Sequence, residues 1–184
     1  MRYIFMLFIA MMPLVQAPGE GYNLLPTPPR QIKSLYFELF KTTEVWVRLT
    51  PVGKDGQPAP VSLIFSTTFS GKKQAKIPAD INIRAQVDPL FVASKFSLKL
   101  ELPPGELLDL TAPGVNFEYY PRCPSGEKCA VTGVISIVPW RIFRQIVEAK
   151  SVTGEVMGRE VSLQEADLIA LRAFAQGLVP GGVK

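Results

Sequence analysis

Apolar and polar residues alternate with a period of two along most of the chain, and a helical period takes over only in the last third. An apolar and aromatic stretch runs from Ser34 to Leu49. In its second part Val45, Val47 and Leu49 fall on one side of an extended backbone and Trp46 and Arg48 on the other, which predicts a half-buried strand. Gly53-Lys54-Asp55-Gly56 is a turn signal, since Asp-Gly supplies the positive φ of a tight hairpin, and Val61–Phe69 returns as the next strand. Ile81, Ile83, Ala85 and Val87 then alternate with Asn82, Arg84 and Gln86, and Phe96, Leu98, Leu100 and Leu102 with Ser97, Lys99 and Glu101. Each set reads as a strand with one wet face. Pro103-Pro104-Gly105 breaks the pattern before a short apolar piece at Leu107–Leu110, and Val115–Tyr120 and Val131–Val138 flank a further turn.

After Pro139 the period changes. Ile142, Phe143, Ile146 and Val147 share one face of a helix whose other face carries Arg141, Arg144, Gln145 and Glu148, with Pro139 suited to the first turn. Val152–Val161 reads as a small hairpin around Gly158. Ser162-Leu163-Gln164-Glu165 has the form of a capping box, so a second helix is expected to start there, with Leu168, Leu171, Ala175 and Leu178 on one face and Gly177 and Pro180 at its end. The pattern predicts a mainly β domain: an antiparallel β-sandwich, Ig-like or related, of about seven strands, with two short C-terminal α-helices packed on the sheet.

Composition agrees with one domain. The chain has 184 residues, 47% of them apolar, enough to build a core without a metal or a disulfide framework. Its 17 prolines are close to twice the usual share of about 5% and fall between apolar stretches, as turns between short strands require. The amino end follows another logic. Met1-Arg2, thirteen uncharged residues from Tyr3 to Val15 and the small-residue ending at Ala17 have the form of an export signal over residues 1–17. As a helix the apolar run reaches only about 20 Å, short of a roughly 30 Å hydrocarbon layer. Pro18 beside the scissile bond hinders a peptidase, so cleavage after Gly19, or a retained segment that tethers the domain to the membrane, are the other outcomes. Residues 18–33, with Leu25-Pro26-Thr27-Pro28-Pro29, read as a proline-rich linker, and 34–184 as the domain.

An exported location, periplasmic or secreted, suits the two cysteines. Cys123 and Cys129 bracket Pro-Ser-Gly-Glu-Lys, whose Pro/Ser/Gly turn brings the two thiols together across a hairpin, which predicts a Cys123–Cys129 disulfide. Closing so short a loop stabilises by about 2 kcal/mol and pins a hairpin without holding the fold together.

The chemistry is defined mostly by exclusion. The chain has no histidine, which removes Ser-His-Asp, Cys-His and His-based zinc mechanisms. Gly71-Lys72-Lys73 lacks the remainder of a phosphate loop, Ser-x-x-Lys at Ser70–Lys73 and Ser125–Lys128 lacks its partner motifs, and no dense acidic loop suits calcium. No cofactor and no metal site are expected. A carboxylate-based hydrolase would need two acids from Glu101, Glu106, Asp109 and Glu118, each of which is read more simply as a solvent-facing strand or turn residue.

Charge is unevenly placed: residues 18–100 carry 11 basic and 6 acidic groups, residues 101–184 carry 8 and 10. The densest basic point, Lys72, Lys73 and Lys76, is a candidate contact for an anionic partner such as a lipid headgroup. Trp46, Tyr119 and Tyr120 are candidate aromatic contacts for a protein or a glycan. No nucleic-acid-reading motif is present. The sequence therefore points to a non-enzymatic binding or accessory protein whose partner is another envelope or extracellular protein, with a carbohydrate- or cell-wall-binding module as the alternative.

Overall fold

A computed structural model describes residues 29–87, 97–111, 116–122 and 130–180. The signal-like segment, most of the proline-rich stretch and both cysteines lie outside these residues. Ten strands and two helices follow one another as β1 (Ile32–Phe37), β2 (Thr42–Leu49), β3 (Val61–Ser70), β4 (Asp80–Val87), β5 (Leu98–Leu102), β6 (Glu106–Asp109), β7 (Asn116–Arg122), β8 (Ala130–Pro139), α1 (Trp140–Glu148), β9 (Thr153–Val156), β10 (Arg159–Ser162) and α2 (Glu165–Gly177). They form two antiparallel sheets, one of six strands in the order β1-β2-β3-β4-β8-β7 and one of four in the order β10-β9-β5-β6. The expected sandwich with C-terminal helices is therefore present, with more strands than the seven or so anticipated.

The alternation read from sequence builds the core directly. Val47, Phe65 and Ile83 stand in register across β2, β3 and β4, and Leu49, Leu63, Ala85 and Val134 form the next row, all of them buried. Leu98, Leu100 and Leu102 of β5, with Val156 and Val161 of the β9–β10 hairpin, enter the same cluster from the second sheet. Phe143 of α1 joins the layers: its ring centroid lies 6.0 Å from that of Phe65 on the sheet and 6.0 Å, edge-on, from that of Phe174 on α2. Each such side chain contributes about 1.5–3 kcal/mol through burial, which is why the helices stay on the sheet with few polar contacts to it. Gly154 lets β9 approach β5, since a Cβ there would lie 2.0 Å from the Lys99 carbonyl oxygen. No helix among the described residues is long and apolar enough to cross a membrane.

Three local expectations change. The stretch from Ser34 to Leu49 is two strands folded back on one another, with Ile32 opposite Val47 and Phe37 opposite Thr42, so β1 reaches two residues into the predicted linker. The turn between them, Glu38–Lys41, contains neither glycine nor proline, and Lys41 takes a φ of 52°. The capping box of α2 sits two residues later than predicted. Ser162 is held in β10, exchanging backbone hydrogen bonds with Val52 (2.8 and 3.0 Å), so the chain is still extended there. Gln164 and Asp167 form the reciprocal pair instead, the Gln164 N–H donating to Asp167 Oδ2 at 3.0 Å. Pro139 precedes α1 as its N-cap residue instead of lying in the first turn.

Candidate interaction surfaces

The predicted lysine cluster lies in the β3–β4 connection, and the fold brings the β1–β2 turn beside it. Gly71 N–H donates to the Lys41 carbonyl at 2.7 Å, and the Thr43 hydroxyl donates to the Gly71 carbonyl at 2.6 Å. The three lysines are not equivalent. Lys72 Nζ lies 3.5 Å from Glu38 Oε1 and 4.9 Å from the centre of the Tyr36 ring, so its charge is partly engaged within the protein. Lys73 and Lys76 are exposed and make no ion pair among the described residues. Gln74 anchors the connection to the end of α2, donating to the Leu178 carbonyl at 2.7 Å. Around these lysines stand Leu39, 85% exposed, with Phe40, Ile77 and Val179, each 40% exposed or more. The sequence flagged the charge and missed these apolar neighbours, because they come from three separate segments.

Beside this end runs β1, an edge of the six-stranded sheet that pairs with β2 and with no other strand among the described residues. Its first four residues are exposed, and Ile32 and Leu35, on opposite faces, are 43% and 44% exposed. Antiparallel edges are commonly blunted by charge or kinks; here Lys33 is the one charged residue within the strand.

Trp46 lies farther along β2. On the sheet face away from the main core it lies in register with Lys33 of β1 and Ser66 of β3, and it is only 5% exposed. An aromatic platform for a sugar needs an open ring face, and Trp46, expected as an aromatic contact, is buried. Its same-face neighbours along the strand are Glu44 and Arg48, long side chains of the kind whose stems cover apolar surface. Arg48 donates twice to Ser62 Oγ, at 3.1 and 2.8 Å. Burial pushes the Glu44 carboxyl above its ordinary value, against the opposing pull of Arg84 and a hydrogen bond with Ser66. Tyr119 and Tyr120 lie on β7, paired with Val134 and Gly133. Cys123 and Cys129 fall in the connection between β7 and β8, outside the described residues; the Arg122–Ala130 pair puts their chain neighbours opposite one another.

The candidate carboxylates are divided by the fold. Glu101, Glu106 and Asp109 belong to the four-stranded sheet, and Glu118 to the other. Asp109 accepts from the side chain and the backbone of Thr111, which, with Lys99 Nζ at 3.7 Å, holds its carboxyl below the usual range. That is the state of a fixed anion and not of a proton donor. Glu106 accepts from Gln145 Nε2 at 3.4 Å. The outer face of this sheet bears an open concavity of about 450 Å³, lined in part by Lys54, Lys99, Glu101, Leu107, Glu155 and Glu160. Within it Lys54 pairs with Glu160 at 3.3 Å and Glu155 accepts from the Ser97 hydroxyl at 2.7 Å, and its lining carries more carboxylates than lysines. Comparison with protein-family models, with curated proteins and with solved structures found no match.

Proposed function

We propose that this protein is a non-enzymatic binding or accessory protein, exported to the cell envelope or the extracellular space, that acts through protein–protein contacts. In this reading a partner adds an extended segment to β1. The observation that carries it is the edge itself: a six-residue strand with one sheet neighbour among the described residues and with exposed apolar side chains on both faces. Strand addition takes its affinity from main-chain hydrogen bonds and its selectivity from alternate side chains. Ile32 and Leu35 would supply that selectivity. The export signal pattern at the amino end and the spacing of the cysteines support the compartment.

The test uses the full chain, tagged at its carboxyl end, crosslinked mildly in its native host and recovered from the envelope fraction. A near-stoichiometric protein should co-purify, and the double substitution Ile32→Lys, Leu35→Lys should lower its recovery at least tenfold. Both positions are solvent-exposed, so stability should change by less than about 1 kcal/mol. A partner recovered undiminished from the double variant, or none recovered from the parent, refutes strand addition at β1.

A further inference from the structure

Four of the large apolar side chains most open to solvent gather at one end of the six-stranded sheet. Leu39 and Phe40 cap the β1–β2 turn, Ile77 stands in the β3–β4 connection, and Val179 follows α2. They are one surface because the segments are tied together, Gly71 to Lys41 and Gln74 to Leu178, each by a 2.7 Å hydrogen bond. Lys41, Lys72, Lys73 and Lys76 surround them, against Glu38 and Asp80, giving an excess of two positive charges (4 − 2). Glu38 is held by Lys41 at 3.1 Å and Lys72 at 3.5 Å, which leaves Lys73 and Lys76 directed at no protein anion among the described residues.

From this juxtaposition we propose that the turn end of the domain, with Leu39 and Phe40 at its tip and Lys73 and Lys76 at its rim, docks onto an anionic lipid bilayer. The chemistry of the patch selects this occupant. Protruding apolar residues encircled by lysines match the two layers of a membrane surface, with acyl chains at the level of the tips and phosphates at the level of the ammonium groups. A soluble anion would use the lysines and leave Leu39, the most exposed of the apolar residues, without a purpose. The tip also carries a backbone cost, since Lys41 adopts a left-handed φ of 52° with no glycine in the turn. Apolar residues held out to solvent by an unfavourable backbone indicate a role outside the fold. This surface is separate from the strand edge, where Ile32 and Leu35 lie, so the two proposals fail independently.

The experiment places a reporter at the tip of the full chain, Phe40→Trp, and reads its fluorescence against the parent, which already contains Trp46 and Trp140. The expected result is a blue shift and quenching by brominated acyl chains on vesicles of phosphatidylcholine with phosphatidylglycerol in equal parts. Pure phosphatidylcholine should give neither. In the reporter background Lys73→Gln with Lys76→Gln should weaken the response about fivefold per lysine, and raised salt should act in the same direction. Leu39→Ser alone should weaken it at least tenfold. A reporter that stays solvent-like while the chain is vesicle-bound through its apolar amino-terminal segment overturns the proposal. So does an equal response on neutral vesicles, or one unchanged by the lysine substitutions. Circular dichroism of each variant separates lost docking from lost folding.

Discussion

Two turns of this molecule make the same unusual backbone choice and use it in opposite ways. In the β1–β2 turn Lys41 has a φ of 52°, and in the β9–β10 turn Met157 has a φ of 51° followed by Gly158 at 78°. Each places a residue with a full side chain where glycine is the ordinary occupant, at a cost of about 1–2 kcal/mol. The β9–β10 turn recovers that cost. Met157 is 1% exposed, its N–H donates to the Ser97 carbonyl at 2.6 Å, and its side chain belongs to the core shared by both sheets. The β1–β2 turn has a backbone hydrogen bond of its own, from Gly71 N–H to the Lys41 carbonyl at 2.7 Å, but recovers no burial at its tip, since it holds Leu39 at 85% and Phe40 at 42% exposure. In the β9–β10 turn the strain is offset by burial; in the β1–β2 turn it is not, which is the contrast that the proposed docking surface would explain.

The largest effect should come from removing the inward side chain. Met157→Gly relieves the left-handed backbone but deletes a fully buried side chain, and deletions of that kind cost about 2–5 kcal/mol, so a net loss of at least about 2 kcal/mol is expected in urea denaturation. Equal stability of variant and parent would mean that Met157 contributes no packing, and the contrast between the turns would disappear. Lys41→Gly should move the other way. It gives up only an exposed pair with Glu38, 72% and 68% exposed, which is worth little, and it should raise stability by about 0.5–1 kcal/mol in the same measurement. A destabilised Lys41→Gly would show that the outward turn has a structural role of its own and needs no external partner to explain its backbone.

Sequence conveyed what depends on local periodicity. Ile81, Ile83, Ala85 and Val87 form a buried face as their alternation requires, and Leu168, Leu171, Ala175 and Leu178 line the buried side of α2. It missed what depends on distant segments. Nothing local marks Glu38–Lys41 as a turn, because its residues are apolar and charged, without glycine or proline, so two strands read as one stretch. The α2 capping box moved because Val52, more than a hundred residues earlier, holds Ser162 extended. Nothing local marks Asp167, whose carboxylate is fully buried, bonded to Gln164 N–H and, at 2.8 Å, to Arg30 Nε from the opposite end of the chain. The lysine cluster was visible as charge; its division into one engaged lysine and two with no ion pair among the described residues was not, since Glu38 and Tyr36 lie on another hairpin.

Glu44 and Trp46 share the face of β2 opposite the one that carries Val47 and Leu49 into the core, and the smallest predicted effect reports how closed that face is at Glu44. Glu44 stands two residues into β2 and is paired with Leu35 of the edge strand. Burial is the largest influence on its carboxyl and raises its proton affinity in the folded state. A raised folded value means that the native protein binds the proton more readily than the unfolded chain. Glu44 therefore contributes nothing below its ordinary value of 4.5, and it subtracts stability progressively as pH rises from there through the raised value. Asp109 has the opposite sign, its lowered value contributing stability that is lost as pH falls. The two can be separated by substitution. Glu44→Gln should abolish the decline above pH 4.5 and leave the acid limb governed by Asp109 unchanged, so the stability difference from the parent should grow with pH across that window and then level off. A constant difference at every pH would place Glu44 in solvent and move the boundary of the packed region inward, to Trp46 itself.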